Sequence, residues 1–509
     1  MLIDVKILHN NVEQLVQVPR GTLLSDVLER NGPGFELPCG GKLICRRCQV
    51  QVTGKVSAPT EVELATFTPQ ELAQGFRLAC ATRAEGDVTI EYSTSSMYNI
   101  AIKGEGQELV ADPLFQRYGI AVDIGTTTIC VSLFDADGLI DSTAMKNPQA
   151  FYGLDVISRI ESALSGKGEA LQNAVCSAIK ELLNSLLANA EIGSEEIDAA
   201  IITGNTTMLY LLVGQNPETL SHAPFIADRL FGEYVPAELL FGDLKINDDL
   251  KVYLPHCIAA FVGADITTAI LASGICENNE KSLLVDIGTN GEMALWHDKC
   301  LYACSTAAGP AFEGGELSCG VPGIKGAIDH IWLEDGNVEY SSLAGSSPIG
   351  ICGSGIVDAL SVMLKLEVID ETGAFQEGSQ FDIAENVHVN QVDVRKMQLA
   401  KSAIRAGMET LIHIAGLDWQ DIDHLYIAGG FGSYLNLESA ADIGLIPPSV
   451  LNRTKVIGNA ALTGASMMLL QQGLIETTEK LIENTQVVSL EKDPVFMEQY
   501  IENMLFSFN

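Results

Sequence analysis

The chain has 509 residues, 47% of them apolar, and sets 30 Lys and Arg against 66 Asp and Glu for a net charge of −36. Such a length allows roughly three domains, the apolar fraction excludes a disordered chain, and the acidity works against nucleic acid or an anionic membrane as the main partner. No apolar run nears the roughly 18 residues of a membrane helix, and Asp4 and Lys6 interrupt the stretch where a signal peptide would have its core, so a soluble cytoplasmic protein is expected.

Residues 1–92 read as a small α+β unit. Residues 2–8 and 14–18 are predicted strands either side of a His9-Asn10-Asn11 turn. Residues 22–30 are a predicted helix, with Thr22 as its cap and Gly32 just past its end. Strands are also predicted over 49–53 and 88–92. This segment holds nine Lys and Arg and eleven Asp and Glu, a net of −2, which leaves −34 for the rest. The difference supports a boundary near residue 92. Residues 93–117, small, polar and weakly periodic, read as a linker.

Between the predicted helix and the third strand lies a cysteine loop. Cys39, Cys45, Cys48 and Cys80 fall within 42 residues, with five, two and thirty-one residues between successive members. In a reducing compartment such a cluster points to metal ligation rather than disulfides. A zinc ribbon pairs two short Cys-x-x-Cys knuckles, and only one is present. Four thiolates, three of them in one loop, suit a 2Fe–2S cluster, with a structural zinc site as the alternative. Gly40 and Gly41 let the backbone wrap closely and aim N–H groups at sulfur. Arg46 and Arg47 either favour the more negative reduced cluster or are simply solvated. The segment resembles the adrenodoxin-like and plant-like ferredoxins. That resemblance implies a β-grasp fold over about 92 residues, with RLACATR at 77–83 carrying the fourth ligand.

From Tyr118 onward the pattern is α/β, with long helical stretches at 169–190 and 392–415. A repeat runs through it. GIAVDIGTTTICVSLFD at 119–135 and SLLVDIGTNGEMALW at 282–296 each give a buried strand, Asp-Ile-Gly-Thr and a second strand, and Asp123 and Asp286 stand 163 positions apart. That is one domain-sized unit, so two related halves are expected, 118–281 and 282–509. A tight Gly-Thr hairpin after a strand brings N–H and hydroxyl donors to a phosphate. The carboxylate repels the phosphate, so it reads as a Mg²⁺ ligand through water or as a group orienting the attacking water. Asp123 and Asp286 are the catalytic candidates. Gly125, Thr126, Thr127, Gly288, Thr289, Asn290 and Gly291 are the phosphate-binding candidates. HLYIAGGFGSYLN at 424–436 adds a Gly-rich turn after a strand, with Gly429, Gly430, Gly432 and Ser433 placed to line a nucleotide. No Walker A or GxGxxG motif occurs.

DIGTTT at 123–128, DIGTNG at 286–291 and AGGFGS at 428–433 resemble the two phosphate motifs and the adenosine motif of the ASKHA superfamily, and 263–274 and 458–469 resemble its connecting helices. The resemblance implies two ribonuclease-H-like subdomains with ATP and Mg²⁺ in the cleft between them. A 2Fe–2S domain fused to an ASKHA ATPase resembles the reductive activators of corrinoid proteins. TGNTTM at 203–208, AAGPAFEGG at 307–315 and ICGSGI at 351–356 look like further signatures of that family, although the short connector leaves no room for another domain before the ATPase.

The resemblance implies an ATP-hydrolysing activator that passes one electron from its cluster to a corrinoid, Co(II) to Co(I), on a separate methyl-transfer protein in anaerobic metabolism. An upstream low-potential donor would refill the cluster, and a homodimer is one expected state. The alternatives are a small-metabolite kinase with a redox-sensing ferredoxin domain, for which no base is identified, and a ferredoxin component of another reductase, for which no flavin or nicotinamide motif is found. Glu313 and Glu316, flanking Gly314 and Gly315, read as exposed loop carboxylates. Cys352 reads as a small packed residue in a tight turn, Cys300 and Cys304 complete no metal site, and His256 and His424 read as structural.

Overall fold

The computed structural model describes residues 2–9, 12–31, 48–64, 66–67, 69–91, 112–242, 244–277, 279–430 and 435–506. The chain divides into two compact units, Met1–Ile100 with Ser341–Ser347, and Ala101–Tyr340 with Pro348–Asn509.

In the first unit, β1 (Leu2–His9) and β2 (Val12–Pro19) form an antiparallel hairpin in register from Leu2↔Pro19 to His9↔Val12. β3 (Gln49–Val56), β4 (Phe76–Leu78) and β5 (Ala84–Glu91) complete a sheet of order β2-β1-β5-β3-β4, with β1 and β5 parallel. Period-two patterning decides which face is covered. Ile3, Val5 and Ile7 are buried with Val50, Val52, Val88 and Ile90, under Leu24, Val27 and Leu28 of the Leu24–Asn31 helix. This is a β-grasp arrangement. The helix starts two residues later than the sequence suggests, because the Thr22 hydroxyl donates to the Pro19 carbonyl at 2.7 Å instead of capping.

The second unit contains two six-stranded sheets. The first has β6 (Tyr118–Ile124), β7 (Thr128–Asp135), β8 (Gly138–Lys146), β9 (Ile197–Gly204), β10 (Glu233–Val235) and β11 (Lys251–Leu254), in the order β10-β11-β9-β6-β7-β8. The second opens with β12 (Ser282–Ile287), β13 (Asn290–His297) and β14 (Cys300–Ala307). An excursion follows, with β15 (Ala327–Glu334), β16 (Asn337–Ser342), β17 (Gly350–Ile351), the hairpin β18 (Gln380–Ala384) and β19 (Val387–Asn390), and the Gly353–Lys365 and Gln391–Ile414 helices. The chain returns as β20 (His424–Ala428), β21 (Thr454–Gly458) and β22 (Thr485–Val487), giving the order β21-β20-β12-β13-β14-β22.

Each sheet is an antiparallel meander whose first strand pairs in parallel with a later strand, which in turn pairs in parallel with another. The repeat read from the two DIGT segments is thus a repeat of topology, two ribonuclease-H-like halves. Between the sheets run the Ala264–Ser273 and Ala460–Leu470 helices, which cross closely. A Cβ on Gly464 would lie 1.8 Å from the Thr268 carbonyl oxygen, so only glycine permits this crossing. The Ala460–Leu470 helix also lies against β6 and β9 of the first sheet. Of the expected linker, residues 112–117 are described, and they belong to this unit: Leu114 and Phe115 are buried, and the Leu114 N–H donates to the Leu469 carbonyl. Among the described residues no helix is long and apolar enough to cross a membrane.

Candidate functional site

In the first unit, Cys48 immediately precedes β3 and Cys80 follows β4. These strands pair with Gln49 opposite Leu78, and the Ala79 N–H bonds to the Cys48 carbonyl at 2.7 Å. Two cysteines distant in sequence are thereby brought sulfur to sulfur, 3.0 Å apart and both buried. Cys39 and Cys45 lie outside the described residues. A pair of converging buried thiols fits the chemistry of a thiolate-ligated cluster, which needs soft donors screened from water.

The position of Cys80 rests on a buried ion pair absent from the sequence reading. Glu63 accepts from Arg77 Nε at 2.9 Å, the Leu78 N–H at 3.1 Å, the Thr82 hydroxyl at 2.8 Å and the Thr60 N–H at 2.8 Å. Burial pushes the Glu63 carboxyl up, but the bonds from Arg77, Thr60, Leu78 and Thr82 outweigh it and hold the group at about 2.

In the second unit, Asp123 and Asp286 are the penultimate residues of β6 and β12, the first strands of the two sheets. Asp265 in the first turn of the Ala264–Ser273 helix and Glu292 on β13, opposite Asp286, complete an acidic group. All four carboxyls are held above their ordinary range. Asp123 is raised to about 6 by burial, against the lowering effect of Asn459. Asp286 is raised to about 8 by burial and then by the charges of Asp265, Asp123 and Glu313. Asp265 and Glu292 move the same way, first through burial. Among the described residues none of these carboxylates is paired with a Lys or Arg. Nor do three ligating side chains gather closely enough, among the described residues, to hold an ion directly. A buried acidic group without a Lys or Arg partner would suit Mg²⁺ held through its waters, which that ion keeps in part.

The first DIGT loop is tied down by hydrogen bonds to its carbonyls. The Gly125 carbonyl accepts from Asn147 Nδ2 at 2.9 Å, that of Thr126 from Arg159 Nη2 at 2.6 Å, and that of Thr127 from the Asn147 N–H at 2.8 Å. In a trans peptide the carbonyl and the following N–H point oppositely, so this bracing turns the loop's amides the other way. Arg159 is fully buried, and burial lowers its guanidinium to about 10 while Asp155 opposes the shift, so it stays charged. The Thr126 hydroxyl is turned inward and accepts from Asn205 Nδ2 at 3.2 Å.

The two loops meet on one atom. Thr127 Oγ1 donates to Glu313 Oε2 at 2.7 Å, and Thr289 Oγ1 donates to the same oxygen at 2.9 Å. Glu313, read from the sequence as an ordinary exposed loop carboxylate, is therefore half-buried and bridges the two halves of the repeat; Glu316 is indeed exposed. Gly288 and Asn290 close the second hairpin through the Gly288 N–H and the Asn290 carbonyl at 3.0 Å. Gly429, at φ +99°, leaves no room for a Cβ, which would lie 2.4 Å from the Ile287 carbonyl and 2.9 Å from Asp286 Oδ1. Gly430 faces open space, whereas Gly291 packs against Ile404 and Thr306. Gly432 and Ser433 lie outside the described residues. A separate cavity of about 640 Å³, lined by residues such as Gly168, Gln172, Gly214 and His222, involves none of these groups.

Three family models cover most of the chain. Residues 7–85 match the 2Fe-2S iron-sulfur cluster binding domain, residues 118–278 the RACo middle region, and residues 280–508 the C-terminal domain of RACo, the ASKHA domain. The segment read as the first ASKHA subdomain is thus the one matched by the middle-region model. The chain is similar to the corrinoid activation enzyme RamQ of Eubacterium limosum, 33% identical and covering 99% of each chain. It is similar to the Co(II) methylated amine-specific corrinoid protein reductase of Methanosarcina barkeri, 25% identical over 70% of this chain and 71% of that one. Among solved structures it is similar to a reductive activator for corrinoid, iron-sulfur protein, with a TM-score of 0.73, 28% identity and 98% of both chains covered. The chain belongs to the reductive activators of corrinoid proteins, a 2Fe–2S ferredoxin domain joined to an ASKHA domain.

Proposed function

We propose that this protein uses ATP to drive one electron onto the corrinoid of a separate methyl-transfer protein, converting Co(II) to Co(I). The observation that supports this most is that the likeness to a corrinoid activation enzyme spans 99% of both chains, so neither unit is missing. Cys39, Cys45, Cys48 and Cys80 would hold the cluster, which when bound supplies a one-electron carrier. Asp123 and Asp286, supported by Asp265 and Glu292, would hold hydrated Mg²⁺. Gly125, Thr126, Thr127, Gly288, Thr289, Asn290 and Gly291 would form the phosphate cradle, and Gly429, Gly430, Gly432 and Ser433 the adenosine side.

The need for ATP is energetic. Plant-type ferredoxins sit near −400 mV, and each roughly 60 mV uphill for one electron costs about 1.4 kcal/mol. A nucleotide can supply this only through differential affinity for two states of the complex. Two arrangements of the sheets about the crossing helices would provide those states, and phosphate need not reach the corrinoid. A low-potential donor must refill the cluster, and the thiol chemistry suits the reducing cytoplasm.

The test is anaerobic Co(II) reduction, followed by corrinoid absorbance, with purified corrinoid protein, MgATP and a low-potential chemical reductant. Reduction should require both MgATP and this protein. Reduction at the full rate without nucleotide would overturn the coupling and leave a plain ferredoxin.

A further inference from the structure

Thr127 and Thr289 stand on different loops, yet both hydroxyls are spent on Glu313 Oε2, at 2.7 and 2.9 Å. A hydroxyl has one proton to donate, so it serves Glu313 or a phosphate oxygen, never both. Glu313 and a terminal phosphate are also both anions, and like charges exclude one another from a half-buried site. We propose that Glu313 is the specificity-determining residue that reads the third phosphate. A nucleoside triphosphate takes both hydroxyls from Glu313 and releases it, and a diphosphate leaves them where they are. This rests on the reading of the two DIGT loops as the nucleotide site.

The release has somewhere to go. Glu313 ends the Pro310–Glu313 turn, and the residues just after it are fastened to the excursion of the second half. The Ser318 N–H donates to Asp393 Oδ1 at 2.7 Å, and Asn390 Nδ2 donates to Ser318 Oγ at 2.6 Å. Lys396 Nζ donates to the Glu316 carbonyl. Asp393 and Lys396 belong to the Gln391–Ile414 helix, and Asn390 is its N-cap. Displacing Glu313 therefore pulls on one end of a 24-residue helix. With a diphosphate the same end stays latched.

The test is calorimetric titration of the cluster-loaded, full-length protein with Mg²⁺ and either a non-hydrolysable ATP analogue or ADP. Glu313→Gln keeps the shape and drops the charge, and Glu313→Ala removes the acceptor. Both should bind the triphosphate at least about tenfold tighter, since two charge-assisted hydrogen bonds no longer compete, with ADP affinity unchanged. In the wild type, amide exchange over 314–321 and 390–396 should speed up with the triphosphate only. In Glu313→Ala it should be fast in either state. Equal shifts for both nucleotides, or weaker triphosphate binding, would make Glu313 part of the cradle and overturn the proposal. A wild type that binds neither nucleotide overturns the site itself, and the sensor with it.

Discussion

Asn459 donates its side-chain amide to Asp123 Oδ2 at 2.9 Å across 336 positions of sequence, while its Oδ1 accepts from the Leu462 N–H and caps the Ala460–Leu470 helix. One residue thus joins a helix start to the acidic end of β6. Asn459→Ala removes both bonds. The lost cap alone costs about 1 kcal/mol of stability. Asp123 loses the donor that orients it, and ATP hydrolysis should fall roughly tenfold or more. Thermal melting and steady-state ATPase assays check the two effects separately.

Asp286→Ala should abolish ATP hydrolysis, because positioning and electrostatics supply most of the catalysis in phosphoryl transfer. The cysteines lie in the other unit, so the visible spectrum of the cluster should be unchanged. ATP-driven Co(II) reduction should be lost with it. A variant that still reduces the corrinoid at the wild-type rate would refute the coupling.

Purified without oxygen, the protein should be brown, with about two irons per chain and a reduced-state EPR signal of the 2Fe–2S type. Cys39→Ser, Cys45→Ser, Cys48→Ser and Cys80→Ser should each lose or cripple that signal. Cys352, buried at the start of the Gly353–Lys365 helix, should tolerate serine with the signal intact. Stoichiometric zinc in place of iron would defeat the assignment.

The Glu63–Arg77 pair predicts a pH dependence. The Glu63 carboxyl is held at about 2 against an ordinary 4.5. A depressed carboxyl adds stability above its unfolded value and loses it as pH falls through the folded one. The difference corresponds to about 3 kcal/mol. Denaturation of wild type and Glu63→Gln, followed by cluster absorbance, should differ most above about pH 5. The gap should close between about 4.5 and 2.

Arg159→Met should weaken ATP binding by roughly tenfold, since the Thr126 carbonyl loses a charged donor and the loop loses its brace. Arg159→Lys keeps the charge and forfeits the fork that also holds the Gly153 carbonyl at 2.9 Å, so it should restore binding only in part. Nucleotide titration of both variants, with cluster content as the folding control, distinguishes these outcomes.

Much of this architecture was legible because it is written in local pattern. The DIGT repeat gave two related halves, and the two long helices came within a residue of their observed bounds, Gly168–Ala190 and Gln391–Ile414. The roles of Glu313, Asn459 and Arg159 were not legible. Their bonds to the loops span 186, 336 and 33 positions, and no residue spacing announces such contacts. Glu313 looked like a solvated loop carboxylate because two glycines follow it. Those glycines are there for packing: a Cβ on Gly314 would lie 2.2 Å from the Val321 carbonyl. Asp265 was passed over as one acidic residue in a helix noted only for its position.

The Gly464–Thr268 crossing acts as a bearing with almost no clearance. The helix on one side begins at Asn459, which grips Asp123, and the helix on the other carries Asp265 in its first turn. A swing of one sheet against the other would move these two carboxylates relative to one another. The gap between them would then gauge the angle, and a hydrated cation bound there, as proposed, would set it as a shim sets a joint. If the proposed Mg²⁺ sits there, chelating it would do more than halt hydrolysis. It would let the joint rattle, and a lever with play in its pivot delivers no stroke to whatever it pushes.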